Sequence, residues 1–221
     1  MKPHLIFGAV LAVCLLLGIS LPQLSNTPSA AAAGIQAAES SPHAPDDAPE
    51  AVPAAASDLD QFTKQLINNQ PDQLAGIFAG GIFALPVREQ PAGNENYVSS
   101  EDNTVTLYAT PAQFGVTGLL AHNYLSGRTF FLLQPGDEIT AVYGDGQQIR
   151  YRVSELKRYQ ALSPHDPMSS FVDLDGSGEI YNYQQVFQQV YTKPNTLVLQ
   201  TCIEQDGELS WGRLFVIAER L

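Results

Sequence analysis

Residues 138–153 read EITAVYGDGQQIRYRV, two apolar, β-branched and aromatic stretches around a turn sequence. Glu138–Tyr143 and Gln148–Val153 have the composition of short strands, and Gly144-Asp145-Gly146 between them is typical of a turn. Similar runs recur along the chain. They are Thr104–Ala109, Gly115–His122, Thr129–Leu133, Asn195–Thr201 and Arg213–Ile217. Seven or eight short strands separated by turns predict an all-β barrel or sandwich.

Two segments interrupt this strand pattern. Residues 58–69 (DLDQFTKQLINN) place Leu59, Phe62 and Leu66 at helical spacing ahead of Pro71, which predicts a short amphipathic helix. From Ser154 to Pro194 the strand pattern gives way to a Pro-, Ser- and Asp-rich stretch and then to a helical segment near residues 182–191. We interpret residues 154–194 as a long insertion between strands.

The composition limits the classes of partner. A chain of 221 residues with 44% hydrophobic content has enough apolar side chains for one packed domain and is not a wholly disordered protein. Eleven Lys and Arg against 23 Asp and Glu give a formal charge of -12. Without a broad cationic surface, binding to nucleic acid is not expected. Cys14 and Cys202 are the only cysteines, so no disulfide framework replaces a packed core.

The N-terminal residues indicate export. Lys2 precedes an uncharged apolar run from Leu5 to Leu21, which fits both a short membrane anchor and a long signal-peptide core. The small residues 30–34 offer a cleavage site, so the two alternatives stay open. Residues 22–57 are rich in Ala and Pro and predict a tether. We expect an anchor or signal at 1–21, a tether at 22–57, and a domain at 58–221 outside the cell membrane, secreted if the signal is cleaved.

Three side chains are candidates for chemistry. Cys202 closes the apolar run before it, and His122 closes another run, so each is predicted where a strand meets a loop. An imidazole there can shuttle protons to and from a thiol. Arg213 follows Cys202 by eleven residues, and a hairpin of that length returns the guanidinium beside the sulfur, where it can bind an oxyanion.

Each candidate also has a purely structural interpretation. A lone cysteine is commonly a buried core thiol. Arg213 alternatively forms a salt bridge with Glu204, Asp206 or Glu208 of the same hairpin. His165 lies between two prolines, and we interpret it as a solvent-exposed loop residue.

Three stretches of the chain resemble the sortases, the membrane-anchored cysteine transpeptidases of bacterial surfaces. The segment Val198-Leu199-Gln200-Thr201-Cys202 is similar to the sortase motif Thr/Val-Leu-x-Thr-Cys, and Arg213 stands at the expected distance beyond it. Residues 118–133 (GLLAHNYLSGRTFFLL) with the turn at 135–139 are similar to the sortase histidine strand and its turn. The likeness covers roughly residues 81–221 and departs at Ala121, where many members carry Gly.

The resemblance implies both a fold and a reaction. The fold is a closed, mostly antiparallel eight-stranded barrel with short helices and a long insertion before the Cys strand. Cys202 is the implied nucleophile, Arg213 the oxyanion donor and His122 the proton carrier, with no cofactor required. The implied partners are surface proteins with a C-terminal Leu-Pro-x-Thr-Gly-like sorting signal, and an amine acceptor from the cell wall or a pilin.

One motif points to calcium. Residues 173–180 (DLDGSGEI) match the start of an EF-hand loop, with Gln184 where a bidentate Glu is expected. The predicted ligands are Asp173, Asp175, Ser177, Glu179 and Gln184. The alternative is an Asp- and Gly-rich surface turn. A competing function for the chain is therefore a non-catalytic extracellular β-barrel module that binds calcium.

Overall fold

The computed structural model describes residues 54–176 and 178–221, which form ten strands, two α-helices and two short 3₁₀ helices. The helices are α1 (Ala54–Leu66) and α2 (Tyr183–Tyr191), with 3₁₀ helices at Thr110–Phe114 and Ser126–Leu132. The strands are β1 (Leu74–Ala79), β2 (Phe83–Glu89), β3 (Val105–Tyr108), β4 (Val116–Leu120), β5 (Glu138–Tyr143), β6 (Gln148–Ala161), β7 (Ser170–Asp173), β8 (Ile180–Asn182), β9 (Thr196–Gln205) and β10 (Glu208–Arg220).

Eight of these strands close into a barrel. Their order is β10-β9-β4-β3-β2-β1-β5-β6, and β6 pairs with β10 to complete the ring, while β7 and β8 extend the sheet beyond β6. The barrel pairings are antiparallel except for β2–β3 and β4–β9, which are parallel. The predicted closed, mostly antiparallel eight-stranded barrel is therefore confirmed.

Alternation along the strands separates an inner core from an outer one. In β9, Leu197 and Leu199 belong to the core inside the barrel, whereas Val198 between them belongs to a second cluster outside it. That outer cluster includes Phe215 of β10 and the buried face of α2. The long insertion thus covers the outer face of β9 and β10, the same two strands that carry Cys202 and Arg213.

The predicted strand at Thr129–Leu133 is wrong, because residues 126–132 form a 3₁₀ helix. Phe130 and Leu133, three residues apart, are both buried, while Phe131 and Leu132 between them are 45% and 60% exposed. This spacing matches the three residues per turn of a 3₁₀ helix. The run of apolar letters alone did not distinguish it from a strand.

The predicted start of the insertion at Ser154 is also wrong, since β6 continues to Ala161. The register of β6 with β10 shifts at this point, with Val153 opposite Ala218 and Glu155 opposite Ile217. Ser154 is the extra residue of this β-bulge, and its hydroxyl donates to the Ile217 carbonyl (3.1 Å). A bulge interrupts the two-residue alternation, which is why the strand pattern ended there. The insertion proper follows Ala161 and contains β7, β8 and α2.

Several elements agree with the sequence expectations and two were not foreseen. The predicted helices at 58–69 and near 182–191 are confirmed as α1 and α2, with shifted ends. The strands β1 and β2 were not predicted. Every residue of β1 is buried, so it shows no polar alternation, and Pro86 lies within β2.

The predicted anchor or signal at 1–21 and nearly all of the predicted tether lie outside the described residues. Among the described helices, none combines the length and apolar character needed to cross a membrane.

Candidate active site

Strand β9 occupies the centre of the site, with a candidate residue on the strand at each side of it. In the parallel pairing with β4, Leu120 lies opposite Gln200, so His122 and Cys202 are each two residues further along. In the antiparallel pairing with β10, Arg213 lies opposite Cys202. Leu199 and Leu214 belong to the inner core, and successive side chains of a strand point to opposite faces. His122, Cys202 and Arg213 therefore lie on the outer face of the barrel. The fold therefore brings the three predicted residues together.

The His122 imidazole is buried and held on two sides. It is 7% exposed and stacks on the ring of Tyr124, with centroids 5.0 Å apart and an interplanar angle of 19°. Burial lowers the pKa of His122 below its usual 6.5, and a hydrogen bond to the Val98 backbone opposes that shift. Within the described residues, Nδ1 of His122 has no hydrogen-bond partner. At neutral pH the ring is therefore neutral, and Nδ1 is available to exchange a proton.

The Arg213 guanidinium is fully buried. Its Nη1 donates to the carbonyls of Ser210 and Gly212, both at 2.8 Å, and its Nη2 donates to the carbonyl of Pro164 at 3.3 Å. Burial lowers the pKa of Arg213 to about 10, a value at which the group still carries its charge at neutral pH. Its Nε is buried and has no hydrogen-bond partner in the described part of the chain. Nε is thus a donor left for a bound group.

The alternative interpretation of Arg213 as a hairpin salt bridge does not hold among the described residues, where its hydrogen bonds go to carbonyls. Glu208 instead pairs with His165, whose Nε2 lies 3.1 Å from the Glu208 Oε2. The His165 side chain is 63% exposed, in agreement with the loop position that was predicted for it. Its contact with Glu208 was not foreseen, since residues so distant in sequence carry no local signal.

Cys202 lies inside a strand and not at its end. The expectation that the strand closes at Cys202 is wrong, because β9 continues to Gln205 and turns into β10 through Asp206 and Gly207, both with positive φ. Cys202 is 2% exposed. It lines a cleft of about 10 Å³ together with Val98, Leu120, Ala121, His122, Gln200 and Thr201. A cleft of this size has about the room of one water molecule.

The three candidate side chains are covered from two directions. The segment between β2 and β3 brings Val98 over His122, and the loop between β6 and β7 brings Pro164 onto Arg213. Exposures of 2%, 7% and 0% for Cys202, His122 and Arg213 leave little of these side chains in contact with solvent. Any reaction of Cys202 with a large substrate therefore requires one of these covers to move.

Two residues that sequence reasoning missed connect the site. Asn123, directly after His122, donates from Nδ2 to the Leu209 carbonyl (2.9 Å) and so joins the histidine loop to the β9–β10 hairpin. Gly127 lies so close to Thr201 that a Cβ at this position would be 2.2 Å from the threonine Oγ1. Only a glycine permits this approach of the 3₁₀ helix to β9. The short sequence HNYLSG contains both residues, but nothing in it indicates which strand they contact.

The predicted calcium loop has most of its acidic side chains engaged within the protein. Asp175 forms an ion pair with Arg158, and the Oδ1 of Asp173 accepts hydrogen bonds from the backbone amides of residues 175 and 176. The Glu179 backbone carbonyl, which is the ligand expected from that residue, accepts a hydrogen bond from the Asp173 amide (2.9 Å). Gln184 is exposed on α2, and Ser177 lies outside the described residues. Among the described residues, no group of three or more acidic, His or Cys side chains is arranged to hold a metal ion.

The Arg158 guanidinium binds the Asp175 carboxylate, so a calcium ion at this loop would have to displace it from one predicted ligand. The loop matches the alternative surface turn more closely, and we assign no step of any reaction to calcium. Calcium binding by residues 173–184 is thus untested, and a calcium titration of the protein decides it.

Comparison with solved structures finds sortases. The chain is similar to sortase C1 from Streptococcus suis (14% identity, 75% of this chain and 79% of that chain, TM-score 0.46). It is also similar to sortase C-1 from Actinomyces oris (18%, 73% and 79%, TM-score 0.47) and to sortase A from Listeria monocytogenes (16%, 68% and 88%, TM-score 0.40). No protein-family model and no curated protein sequence matches the chain. At these identities the likeness concerns the fold, so the functional argument comes from the residues of the site.

Proposed function

We propose that this chain is a cysteine transpeptidase that cleaves a Leu-Pro-x-Thr-Gly-like sorting signal and transfers the acyl part to an amine. The observation that carries the proposal is the convergence of His122, Cys202 and Arg213 on one face of three adjacent strands. Two unpartnered donor or acceptor atoms, Nδ1 of His122 and Nε of Arg213, support it. The sequence motif that ends at Cys202 supports it independently.

The first half of the reaction forms a thioester. The neutral His122 imidazole accepts the proton of the Cys202 thiol, and the thiolate attacks the carbonyl carbon of the signal threonine. A carbon–sulfur bond forms while the carbonyl electron pair moves to oxygen, where the Arg213 Nε donates a hydrogen bond to the oxyanion. When the oxyanion collapses, the bond to the glycine nitrogen breaks, and His122 returns the proton to that leaving amine.

The second half releases the product. An incoming amine loses a proton to His122 and attacks the thioester carbonyl, and the sulfur of Cys202 leaves as the thiolate and regains the proton. The amine comes from a cell-wall precursor or a pilin lysine, and water in its place gives hydrolysis. No cofactor enters this scheme.

The proposal extends to partners and location. The substrates are surface proteins with a C-terminal sorting signal, presented to a catalytic domain outside the cell membrane. Residues 1–21 supply a single-pass anchor, and the Ala- and Pro-rich residues that follow supply a spacer.

The test uses the purified full-length chain in detergent with a reductant, so that Cys202 reacts as a thiol. The chain is incubated with a Leu-Pro-x-Thr-Gly peptide and an amine, and the products are weighed by mass spectrometry. We expect a ligated peptide together with an acyl adduct on Cys202. A matched peptide with the threonine–glycine order reversed serves as the control. Recovery of only intact peptide, with no adduct, would show that the proposal is wrong.

A further inference from the structure

The contacts of Arg213 leave open what holds its guanidinium in place. The group is fully buried, yet its Nη atoms donate to carbonyls that belong to two separate segments. Ser210 and Gly212 lie on β10 where the register with β9 shifts, and Pro164 lies in the loop between β6 and β7. Gly212 is paired on both sides, with Ile203 and Gln160, whereas Ser210 falls within the shift and Pro164 lies in a loop, so the strand ladder does not fix these last two carbonyls.

Glu208 contacts both segments. Its Oε1 accepts a hydrogen bond from the Ser210 amide (2.8 Å), which fixes the irregular part of β10. Its Oε2 lies 3.1 Å from the Nε2 of His165, the residue next to Pro164. One carboxylate thus fastens the two peptide segments whose carbonyls bind the guanidinium.

Electrostatics supports the same assignment. Glu208 is the carboxylate that raises the pKa of Arg213 against the larger lowering by burial. It therefore stabilises the charged guanidinium without taking up its donors. A direct carboxylate contact would occupy the donors that an oxyanion requires, whereas this indirect arrangement leaves the Arg213 Nε unpartnered in the described part of the chain.

The exposed contact is a weak source of stability. The side chains of His165 and Glu208 are 63% and 31% exposed, and exposed polar contacts of this kind contribute little to the free energy of folding. Loss of the Glu208 carboxylate should therefore displace the Arg213 guanidinium while changing the free energy of unfolding only slightly.

We propose that Glu208 is the positioning residue of the Arg213 guanidinium, acting through the Ser210 amide and through the His165–Pro164 loop. The expected effect of Glu208 on catalysis rests on the proposed function, whereas its expected effect on the β6–β7 loop does not. The variant that tests it is Glu208→Gln, which keeps the size of the side chain and removes the charge. The matched control is Glu204→Gln, an exposed glutamate on the neighbouring strand.

The first measurement is kinetic. We expect Glu208→Gln to lower kcat for the sorting peptide by roughly tenfold with KM little changed, the signature of a transition-state interaction. Glu204→Gln should match the wild type. In an Arg213→Ala background, Glu208→Gln should cause no further loss, because both changes then act on the same group. An unchanged kcat in Glu208→Gln would overturn the proposal. So would an equal further loss of kcat when Glu208→Gln is added to Arg213→Ala.

The second measurement does not need activity. Hydrogen exchange followed by mass spectrometry reports the protection of the backbone amides in residues 162–169 and at Ser210. We expect faster exchange in both places for Glu208→Gln and the wild-type rate for Glu204→Gln. If the wild type proves inactive, the transpeptidase proposal fails while this result still decides the role of Glu208. Unaltered exchange in the Glu208 variant would overturn that role.

Discussion

Arg213 lies directly opposite Cys202 in the antiparallel register of β9 and β10, so both side chains leave the sheet on the same face. The Nη atoms of Arg213 are taken up by carbonyls, and its Nε is the donor without a partner in the described chain. This pairing fixes the backbone positions of Arg213 and Cys202 relative to each other. The consequences of this pairing can be measured.

Arg213→Ala should lower kcat by roughly a hundredfold to a thousandfold, the cost of removing one oxyanion donor, with a smaller effect on KM. Arg213→Lys should keep part of the activity, because it preserves a charge but not the planar fork that contacts three carbonyls. Steady-state kinetics of both variants provides the check. A wild-type kcat in Arg213→Ala would assign the residue a structural role.

Cys202→Ala should abolish the acyl adduct and the ligated product while the barrel stays folded. Loss of one small buried side chain costs about 1 kcal/mol of folding free energy, much less than the chemistry it removes. Intact-mass spectrometry and circular dichroism report the two effects. The control is Cys14→Ala, the other cysteine of the chain, which should retain the adduct. An adduct that persists without Cys202 would place the nucleophile elsewhere.

His122 should make stability depend on pH. Burial lowers the pKa of His122 in the folded chain below the value of about 6.5 in the unfolded chain. As pH falls below 6.5, the unfolded chain binds a proton that the folded chain does not, so stability present above that pH is lost. Between pH 7 and pH 5, the free energy of unfolding measured with denaturant should fall less for His122→Asn than for the wild type. His43→Asn, in the predicted tether, should keep the wild-type slope, and parallel slopes for His122→Asn would contradict the prediction.

Trimming the cover over the site should expose the sulfur. Val98 lines the cleft with Cys202, and its backbone binds His122. We expect Val98→Ala to raise severalfold the rate at which a small thiol-directed electrophile modifies Cys202 in the folded protein after reduction of its cysteines. Val172→Ala, the same change on β7 and away from the cleft, should leave the rate unchanged. Equal rates in the two variants would show that the β2–β3 segment does not limit access.

Calcium titration should give no binding heat. Arg158 already neutralises Asp175, and a divalent cation would have to displace this guanidinium to bind. Arg158→Ala is the informative second sample, since it frees the carboxylate of Asp175 without changing the other predicted ligands. Saturable heat in the wild-type protein would restore the calcium interpretation of residues 173–184.

Much of the barrel was predictable because most of its strands are short runs of β-branched, aromatic and aliphatic residues bounded by turn residues. Leu197, Val198 and Leu199 show how inner and outer faces divide along β9. Prediction failed at three places where the order of residue types does not reveal how the chain packs. Every residue of β1 is buried, Ser154 adds a residue to β6, and the run around Phe130 buries one side chain in three.

The identities of the candidate site residues were predictable, but their surroundings were not. The order of His122, Cys202 and Arg213 and their motif spacing can be read directly from the sequence. The cover by Val98 depends on how an irregular segment between β2 and β3 crosses the barrel, which no local pattern encodes. The role of Glu208 depends on contact with His165, more than forty residues away in the chain.

The double pairing of β10 has a consequence for biogenesis. β10 joins β9 on one edge and β6 on the other, so both of those strands present open edges until β10 arrives. A partly folded chain in which β10 has not yet paired therefore exposes two unsatisfied strand edges, which are templates for pairing with other chains. Substitutions that weaken β10 should thus reduce the yield of folded protein through aggregation, even where the finished molecule would be active.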